Sequence, residues 1–279
     1  MKKRIITALI GLPILAVVLF FYQTYVLNAA LSLVCGIAVY ELLNSTKFVT
    51  QKGLLIISIL FGMYIPFAKV PVLEPYFLLI VMAYLTLMLI ILFAKHRTIP
   101  FQQVAVSFAG ALLVPYGLSS IIYLRDLAEP KMELYYILLI LSCAWISDIG
   151  AYFIGLTFGR HKLCPNISPK KTVEGAFGGL FFCVVVNIAI TYVYCDIIGK
   201  SGVETEVHLL NLILISLAAS LVGIAGDLTC SIIKRQTGIK DFGTIMPGHG
   251  GVLDRFDSIL LIAPFLYVIL QIFAVVTVL

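Results

Sequence analysis

Long apolar runs dominate this sequence and limit what the chain can fold into. Nine of them approach or exceed the length of about 20 residues with which an α-helix crosses the roughly 30 Å hydrocarbon core of a bilayer. Inside that core every backbone polar group must be satisfied within the protein, which favours helices. We therefore predict an all-α, polytopic membrane bundle of about nine transmembrane helices. The predicted spans are Ile5 to Tyr25, Leu27 to Leu43, Leu54 to Ala68, Pro75 to Phe93, Gln103 to Leu124, Leu134 to Phe158, Ala176 to Tyr194, Val207 to Ile233 and Ser258 to Leu279.

Composition excludes a water-soluble globular protein. The chain is 61% hydrophobic and 12% charged, whereas soluble domains carry about 25% charged residues. The hydrophilic stretches are too short for a separate domain. We expect a single integral membrane domain over residues 1–279, with N-terminal helices in 1–133 and motif-bearing helices and loops in 134–279. Any active site must then be built from helix ends and short loops.

Positive charge predicts the orientation of the bundle, because cytoplasmic loops carry the excess of lysine and arginine. With nine spans and a cytoplasmic N-terminus, 15 of the 19 lysines and arginines face the cytoplasm and the C-terminus lies outside. These residues are scattered singly between apolar runs, so we expect no nucleic-acid partner. The short loops favour a multi-pass protein of the plasma (inner) membrane. The residues left outside are Lys69, Arg125, Lys131 and Lys200.

Two cytoplasmic connections follow spans that contain a carboxylate. Asp148 lies in the sixth predicted span and precedes a loop with Lys170 and Lys171, and Asp227 lies in the eighth. An aspartate within a span costs roughly 2.5–3.5 kcal/mol on insertion scales, which makes it a candidate functional residue. The chemistry is therefore expected at these two connections.

The second connection combines carboxylates, basic residues and glycines. Asp227, Ser231 and Lys234 are spaced to share one helical face, and Asp254 precedes Asp257 by three residues. Oxygen ligands without a cysteine or histidine cluster suit Mg²⁺ rather than zinc. Glycines allow backbone N–H groups to approach an anion closely. The combination indicates a site for a metal-bound polyphosphate, as in phosphoryl or nucleotidyl transfer.

The same segment resembles the signature of the phosphatidate cytidylyltransferases, the CDP-diacylglycerol synthases. A second similar element, Ser168-Pro169-Lys170-Lys171-Thr172 with Glu174-Gly175, lies in the other basic loop. By motif the resemblance covers Trp145 to the C-terminus, and by hydropathy alone the first half. The matching elements of the signature are Ser231, Lys234-Arg235, Lys240-Asp241, Gly243, Pro247, His249-Gly250-Gly251, Asp254-Arg255 and Asp257.

The resemblance implies a reaction of CTP with phosphatidic acid at the membrane, with Mg²⁺ as cofactor and one or two cations bound. Asp227 and Asp254 are the first metal-ligand candidates, followed by Asp257 and Asp148. Substrate-binding candidates are Ser231, Lys170, Lys171, Gly248, Gly250 and Gly251. Implied catalytic residues are Asp227, Asp254, Lys234, Arg235, Lys240, Asp241, His249 and Arg255.

Alternative interpretations stay open at this point. An enzyme that activates another lipid phosphate or a polyprenol fits the same residues, and a transporter would use Asp148 and Asp227 to bind coupling ions. Glu41 and Asn187 lie within spans and fit either interhelical hydrogen bonds or a substrate pocket. Small residues on helix faces also permit a homodimer. For three further glycines we favour close helix packing over catalysis: Gly175, Gly178 and Gly179.

Overall fold

The computed structural model describes residues 2–246, 248 and 250–279, except for the side chains of residues 2–8 and 10. Its helices are α1 (Lys2–Phe20), α2 (Tyr25–Tyr40), α3 (Lys52–Tyr64), α4 (Phe77–Ala94), α5 (Phe101–Leu127), α6 (Glu133–Phe158), α7 (Val173–Gly199), α8 (Leu209–Gln236), α9 (Leu253–Phe256) and α10 (Ile259–Ile269). Four short strands are β1 (Lys162–Cys164), β2 (Ser168–Thr172), β3 (Thr205–Val207) and β4 (Val276–Val278).

Most of the predicted spans correspond to long apolar helices, as expected for a polytopic membrane protein. In the part of the chain that the structure describes, six helical segments are long and apolar enough to cross a membrane. Two further predicted spans correspond to shorter apolar helices, Gly11–Phe20 and Lys52–Phe67. The count of nine spans stays a prediction. The six segments are Tyr25–Ser45, Glu74–Ala94, Phe101–Leu127, Glu133–Phe158, Val173–Gly199 and Leu209–Gln236.

The ninth predicted span is wrong as a single helix. Helix α10 ends at Ile269, and the chain then forms β4, which pairs antiparallel with β3 so that Thr205 faces Val278. Hydropathy does not separate a buried strand from a helix, and β-branched residues such as Val276 and Thr277 favour strands. The predicted cytoplasmic loop after α6 likewise contains the antiparallel β1–β2 hairpin. The chain is therefore mainly helical, with two small sheets.

The chain divides into two compact units. One comprises α1 to most of α5 together with Ile233–Phe256, and the other comprises Tyr123–Ile232 together with Asp257–Leu279. The first is called the N-terminal unit below, and the second is called the C-terminal unit. Residues 233–256 belong to the same compact unit as the N-terminal helices. The single integral membrane domain, with its division after residue 133, stays a prediction.

Interhelical hydrogen bonds join the helices of the N-terminal unit. Asn28 Nδ2 donates to the Pro66 carbonyl at 2.7 Å, and Ser32 Oγ donates to the Met63 carbonyl at 2.7 Å. Ser58 Oγ lies 3.0 Å from the Tyr84 hydroxyl. Since lipid offers no hydrogen bonds, polar side chains inside a bundle of membrane helices form hydrogen bonds to neighbouring helices.

The C-terminal unit is held together by small residues and by one buried amide. A Cβ atom at Gly178 would lie 2.4 Å from Ile154 Cβ, and one at Gly179 would lie 2.7 Å from the Ser147 carbonyl oxygen. Asn187 on α7 is fully buried, donates to Ser216 Oγ at 2.9 Å, and accepts from the Ser142 hydroxyl. Close packing at the glycines and interhelical bonding by Asn187 are thus confirmed.

We expect Gly178→Ala to lower the free energy of unfolding by about 1–3 kcal/mol, as overpacked cores do. The added methyl group must displace the branched side chain of Ile154. Denaturation in mild detergent measures the change. Gly199→Ala is the matched control, because no atom lies within 4 Å of its Cβ position at the end of α7. An equal loss in both variants would contradict the packing argument.

Candidate active site

Lys171 and Asp227 form an ion pair within the C-terminal unit. Strand β2 carries Lys171 and helix α8 carries Asp227, and the two side chains are 25% and 21% exposed. The hairpin that presents Lys171 is anchored by Glu174, which accepts from the backbone N–H groups of Arg160 at 3.1 Å and His161 at 3.2 Å. The structure therefore brings together two residues that are 56 positions apart in the sequence.

A polar face of α8 continues from this ion pair. Ser231 Oγ donates to Asp227 Oδ1 at 3.3 Å, one helical turn along α8 as the spacing predicts. Next to Asp227, Gly226 leaves no room for a side chain, because a Cβ atom there would lie 2.7 Å from the Asp257 carbonyl oxygen. The backbone at Asp257 thus packs directly on α8.

Two more carboxylates of the C-terminal unit approach one hydroxyl group. Ser258 Oγ lies 3.4 Å from Asp148 Oδ2 and 3.5 Å from Asp257 Oδ1, and the Ser258 backbone N–H donates to Asp257 Oδ1 at 2.8 Å. Asp257 is buried, whereas Asp148 is exposed. An aspartate of α6 and an aspartate just before α10 are therefore neighbours.

In the N-terminal unit, Asp254 is enclosed by hydrogen-bond donors. Its Oδ1 accepts from Lys234 Nζ at 2.7 Å, and the lysine and aspartate side chains are only 11% and 5% exposed. Its Oδ2 accepts from the backbone N–H groups of Phe242 at 2.8 Å and Gly251 at 3.0 Å. Lys234 Nζ also lies 5.2 Å from the centre of the Phe242 ring, within the range of cation–π attraction. Asp254 thus joins the end of α8 to both ends of the Gly-rich loop.

The Gly-rich loop, residues 242–252, requires glycine at several positions. Gly248 and Gly250 have positive φ values of 81° and 86°, which residues with a Cβ rarely adopt. The Met246 N–H donates to the Gly250 carbonyl at 3.0 Å and closes the turn. Gly251 is buried. His249 and Pro247 lie outside the described residues.

Five of the predicted charged residues are exposed. Among them, the four basic residues suit contacts to a negatively charged group, whereas the fifth, Asp241, is a carboxylate. They lie on the β1–β2 hairpin, at the end of α8, in the loop that follows and on α9. These residues are Lys170, Arg235, Lys240, Asp241 and Arg255.

The donor set fits a hard cation held jointly with substrate. Among the described residues, no three His, Cys, Asp or Glu side chains are grouped closely enough to hold a metal ion alone. Mg²⁺ commonly uses one or two carboxylates together with substrate phosphates and waters. The oxygen-only pair of Asp148 and Asp257, with the Ser258 hydroxyl, matches that pattern.

Comparison with known proteins identifies the family. Residues 2–273 match the family model described as the cytidylyltransferase family. The chain belongs to the cytidylyltransferase family. Similar curated proteins are phosphatidate cytidylyltransferases: that of Staphylococcus aureus (strain COL) is 36% identical over 97% of this chain and 99% of its own length. That of Staphylococcus epidermidis (strain ATCC 12228 / FDA PCI 1200) is 33% identical over the same shares, and that of Bacillus subtilis (strain 168) is 32% identical over 98% and 99%.

The family resemblance expected from the motifs is thus confirmed, and it extends over both halves of this cytidylyltransferase.

Glu41 is the residue whose connection to the Gly-rich loop could not be predicted from the sequence. Its Oε1 accepts from the Val252 N–H at 3.0 Å and its Oε2 from the Leu253 N–H at 2.8 Å. A carboxylate within an apolar run was the available signal, but the run does not indicate a partner 212 residues away.

We expect Asp254→Asn to lower the free energy of unfolding of this cytidylyltransferase by about 3 kcal/mol or more, because it breaks the buried ion pair of Asp254 with Lys234. Chemical denaturation in detergent gives the value. The control is Asp196→Asn, which removes the exposed Asp196–Lys200 pair and should change stability by less than about 1 kcal/mol. Equal effects in the two variants would contradict the buried-pair interpretation.

Proposed function

We propose that this chain is a CTP:phosphatidate cytidylyltransferase, which transfers CMP from CTP to phosphatidic acid and releases CDP-diacylglycerol and pyrophosphate. The observation that carries the proposal is similarity over nearly the full length to curated phosphatidate cytidylyltransferases. The basic, glycine-rich and carboxylate-bearing segments support it, since each suits a triphosphate substrate.

In this reaction a phosphate oxygen of the lipid attacks the α-phosphorus of CTP, and the bond to the leaving pyrophosphate breaks. The lipid supplies the nucleophile, so no covalent intermediate on the protein is needed. The protein contributes alignment and charge compensation. Ser231 therefore serves as a hydrogen-bonding hydroxyl, in keeping with its bond to Asp227.

Basic side chains at two segments compensate the charge of the phosphates. Lys171 is already held beside Asp227 by the hairpin, and we assign it a phosphate contact that partly replaces this ion pair when substrate binds. We assign further contacts to the triphosphate, the lipid phosphate or pyrophosphate to exposed basic residues of the hairpin and of the second segment. They are Lys170, Arg235, Lys240 and Arg255.

We assign Mg²⁺ binding to the carboxylates of the C-terminal unit, with Asp148 and Asp257 as a pair and Asp227 as a further ligand. When bound, Mg²⁺ neutralises phosphate oxygens and favours departure of pyrophosphate. From the sequence, Asp254 ranked with Asp227 as a metal-ligand candidate, ahead of Asp257 and Asp148. Because its two oxygens already accept from Lys234 and two backbone N–H groups, we assign it primarily the ordering of the Gly-rich loop.

The membrane topology is part of the proposal. We infer about nine membrane-crossing segments, the last of them not a single helix, with a cytoplasmic N-terminus and an external C-terminus in the plasma membrane, from the bias of basic residues. Pairing of β4 with β3 supports the external position of the C-terminal residues. It brings them beside the α7–α8 connection, which is expected outside. Small residues on helix faces permit a homodimer.

The substrate assignment is tested by pyrophosphate release from purified protein in mixed micelles with CTP and Mg²⁺. We expect release with phosphatidic acid and at least about tenfold less with lysophosphatidic acid, a polyprenyl phosphate or no lipid, since a site aligned for one lipid phosphate misplaces others. Preference for polyprenyl phosphate would support the alternative lipid-activating enzyme. No release with any lipid, together with ion-coupled uptake in proteoliposomes, would support the transporter.

The cation assignment is tested by Mg²⁺ titration of the same activity. We expect Asp257→Asn and Asp227→Asn to raise the Mg²⁺ concentration for half-maximal rate by about 10- to 100-fold, the range seen when a metal's supporting groups are lost. Asp196→Asn, at an exposed position on the last turns of α7, should titrate like the parent protein. An unchanged Mg²⁺ response in both site variants would rule out these ligands.

A further inference from the structure

Glu41 is a buried carboxylate at the end of a membrane helix. It begins a π-helical turn, Glu41–Ser45, that follows α2, and only 1% of its surface is exposed. Short π-helical turns are rare and occur frequently at functional sites. A buried carboxylate is tolerated only where donors satisfy it, and here the donors are the backbone N–H groups of Val252 and Leu253.

Three consecutive N–H groups at the end of the Gly-rich loop are divided between two carboxylates. Gly251 donates to Asp254, while Val252 and Leu253 donate to Glu41. Leu253 is the first residue of α9, the helix that carries Asp254 and Arg255. Glu41 therefore holds the point at which the loop turns into this helix, and Asp254 ties the same turn to Lys234.

Glu41 also explains two glycines of the loop. A Cβ atom at Gly243 would lie 2.1 Å from Glu41 Oε1, and one at Gly251 would lie 2.5 Å from Glu41 Oε2. Both distances are shorter than any real Cβ contact. The loop backbone approaches the carboxylate at its beginning and at its end, so a single side chain of the N-terminal helices contacts both arms of the loop.

From these contacts we infer that Glu41 is a positioning residue for the Gly-rich loop and α9. It acts through the backbone and not by contact with substrate, and together with Asp254 it aligns the Gly-rich loop and Arg255 for the nucleotidyl transfer. This role rests on the proposed function, because the reaction is what the aligned loop serves. The effect of Glu41 on the order of the loop does not depend on the reaction and can be measured without substrate.

The first measurement compares Glu41→Gln with the parent protein. The amide keeps one acceptor but turns an NH₂ group toward a backbone N–H, so the loop shifts. We expect kcat to fall about 100-fold, as for misplacements of about 1 Å, while KM for CTP changes less than about threefold. Glu133→Gln, at the start of α6, makes the same chemical change in the C-terminal unit; it is the matched control and should retain the kcat of the parent. An unchanged kcat in Glu41→Gln would overturn the inference.

The second measurement is limited proteolysis by trypsin, which does not depend on enzyme activity. Lys240 and Arg255 flank the loop and are exposed, so trypsin can report its order, with cleavage at exposed Lys170 of the hairpin as the internal reference. We expect Glu41→Gln to speed cleavage at Lys240 and Arg255 relative to Lys170. If the parent releases no pyrophosphate, the proposed function fails, and this comparison still decides the role of Glu41. Unchanged relative cleavage would overturn it.

A double-mutant cycle separates a specific contact from general destabilisation. Gly243→Ala alone should lower kcat at least about tenfold, because its methyl group meets the Glu41 carboxylate. In a Glu41→Ala background the same change should cost little more, since the obstructing group is gone. Contacting residues show such non-additivity, whereas independent sites add. Fully additive losses would show that Glu41 and the loop act independently and would overturn the inference.

Discussion

The need to satisfy buried carboxylates without the help of water organises the polar residues of this protein. A bare carboxylate is costly in a low-dielectric interior, so each needs a cation or several N–H donors. Asp227 has Lys171, Asp254 has Lys234 and two backbone N–H groups, and Glu41 has two backbone N–H groups. The contacts of Asp227 and Glu41 join segments that are remote in sequence, so the charges also determine where the loops lie.

Charge compensation of this kind suits an enzyme that handles a triphosphate and a lipid phosphate. The lysines that neutralise carboxylates in the free protein are of the type that binds phosphate, and the carboxylates are of the type that binds Mg²⁺. We propose that substrate and metal exchange with existing ion pairs without exposing an uncompensated charge. In the C-terminal unit, Lys171 with Asp227 is such a pair, and Asp148 with Asp257 offers two carboxylates to a cation.

The helices that carry these groups are held by packing rather than by a hydrophobic effect, since lipid is as apolar as the helix surfaces. Glycines 178 and 179 bring α6 and α7 together, and Asn187 hydrogen-bonds to neighbouring helices at the same interface. Asp148 lies one residue from Ser147, whose hydroxyl is 2.5 Å from that of Ser220 on α8. Tight helix packing thus supports the carboxylate-bearing part of α6.

The sequence by itself determined the membrane class, most helices, the family and the two polar segments that hold the candidate site. Apolar run length and local motif spacing carry that information, because a helical span and the Asp227-to-Ser231 bond depend on nearby residues. Tertiary structure alone decided that the last apolar run ends in a strand, that Lys171 pairs with Asp227, and that Glu41 binds the Gly-rich loop. These outcomes depend on contacts between residues tens to hundreds of positions apart, and no local pattern specifies such partners.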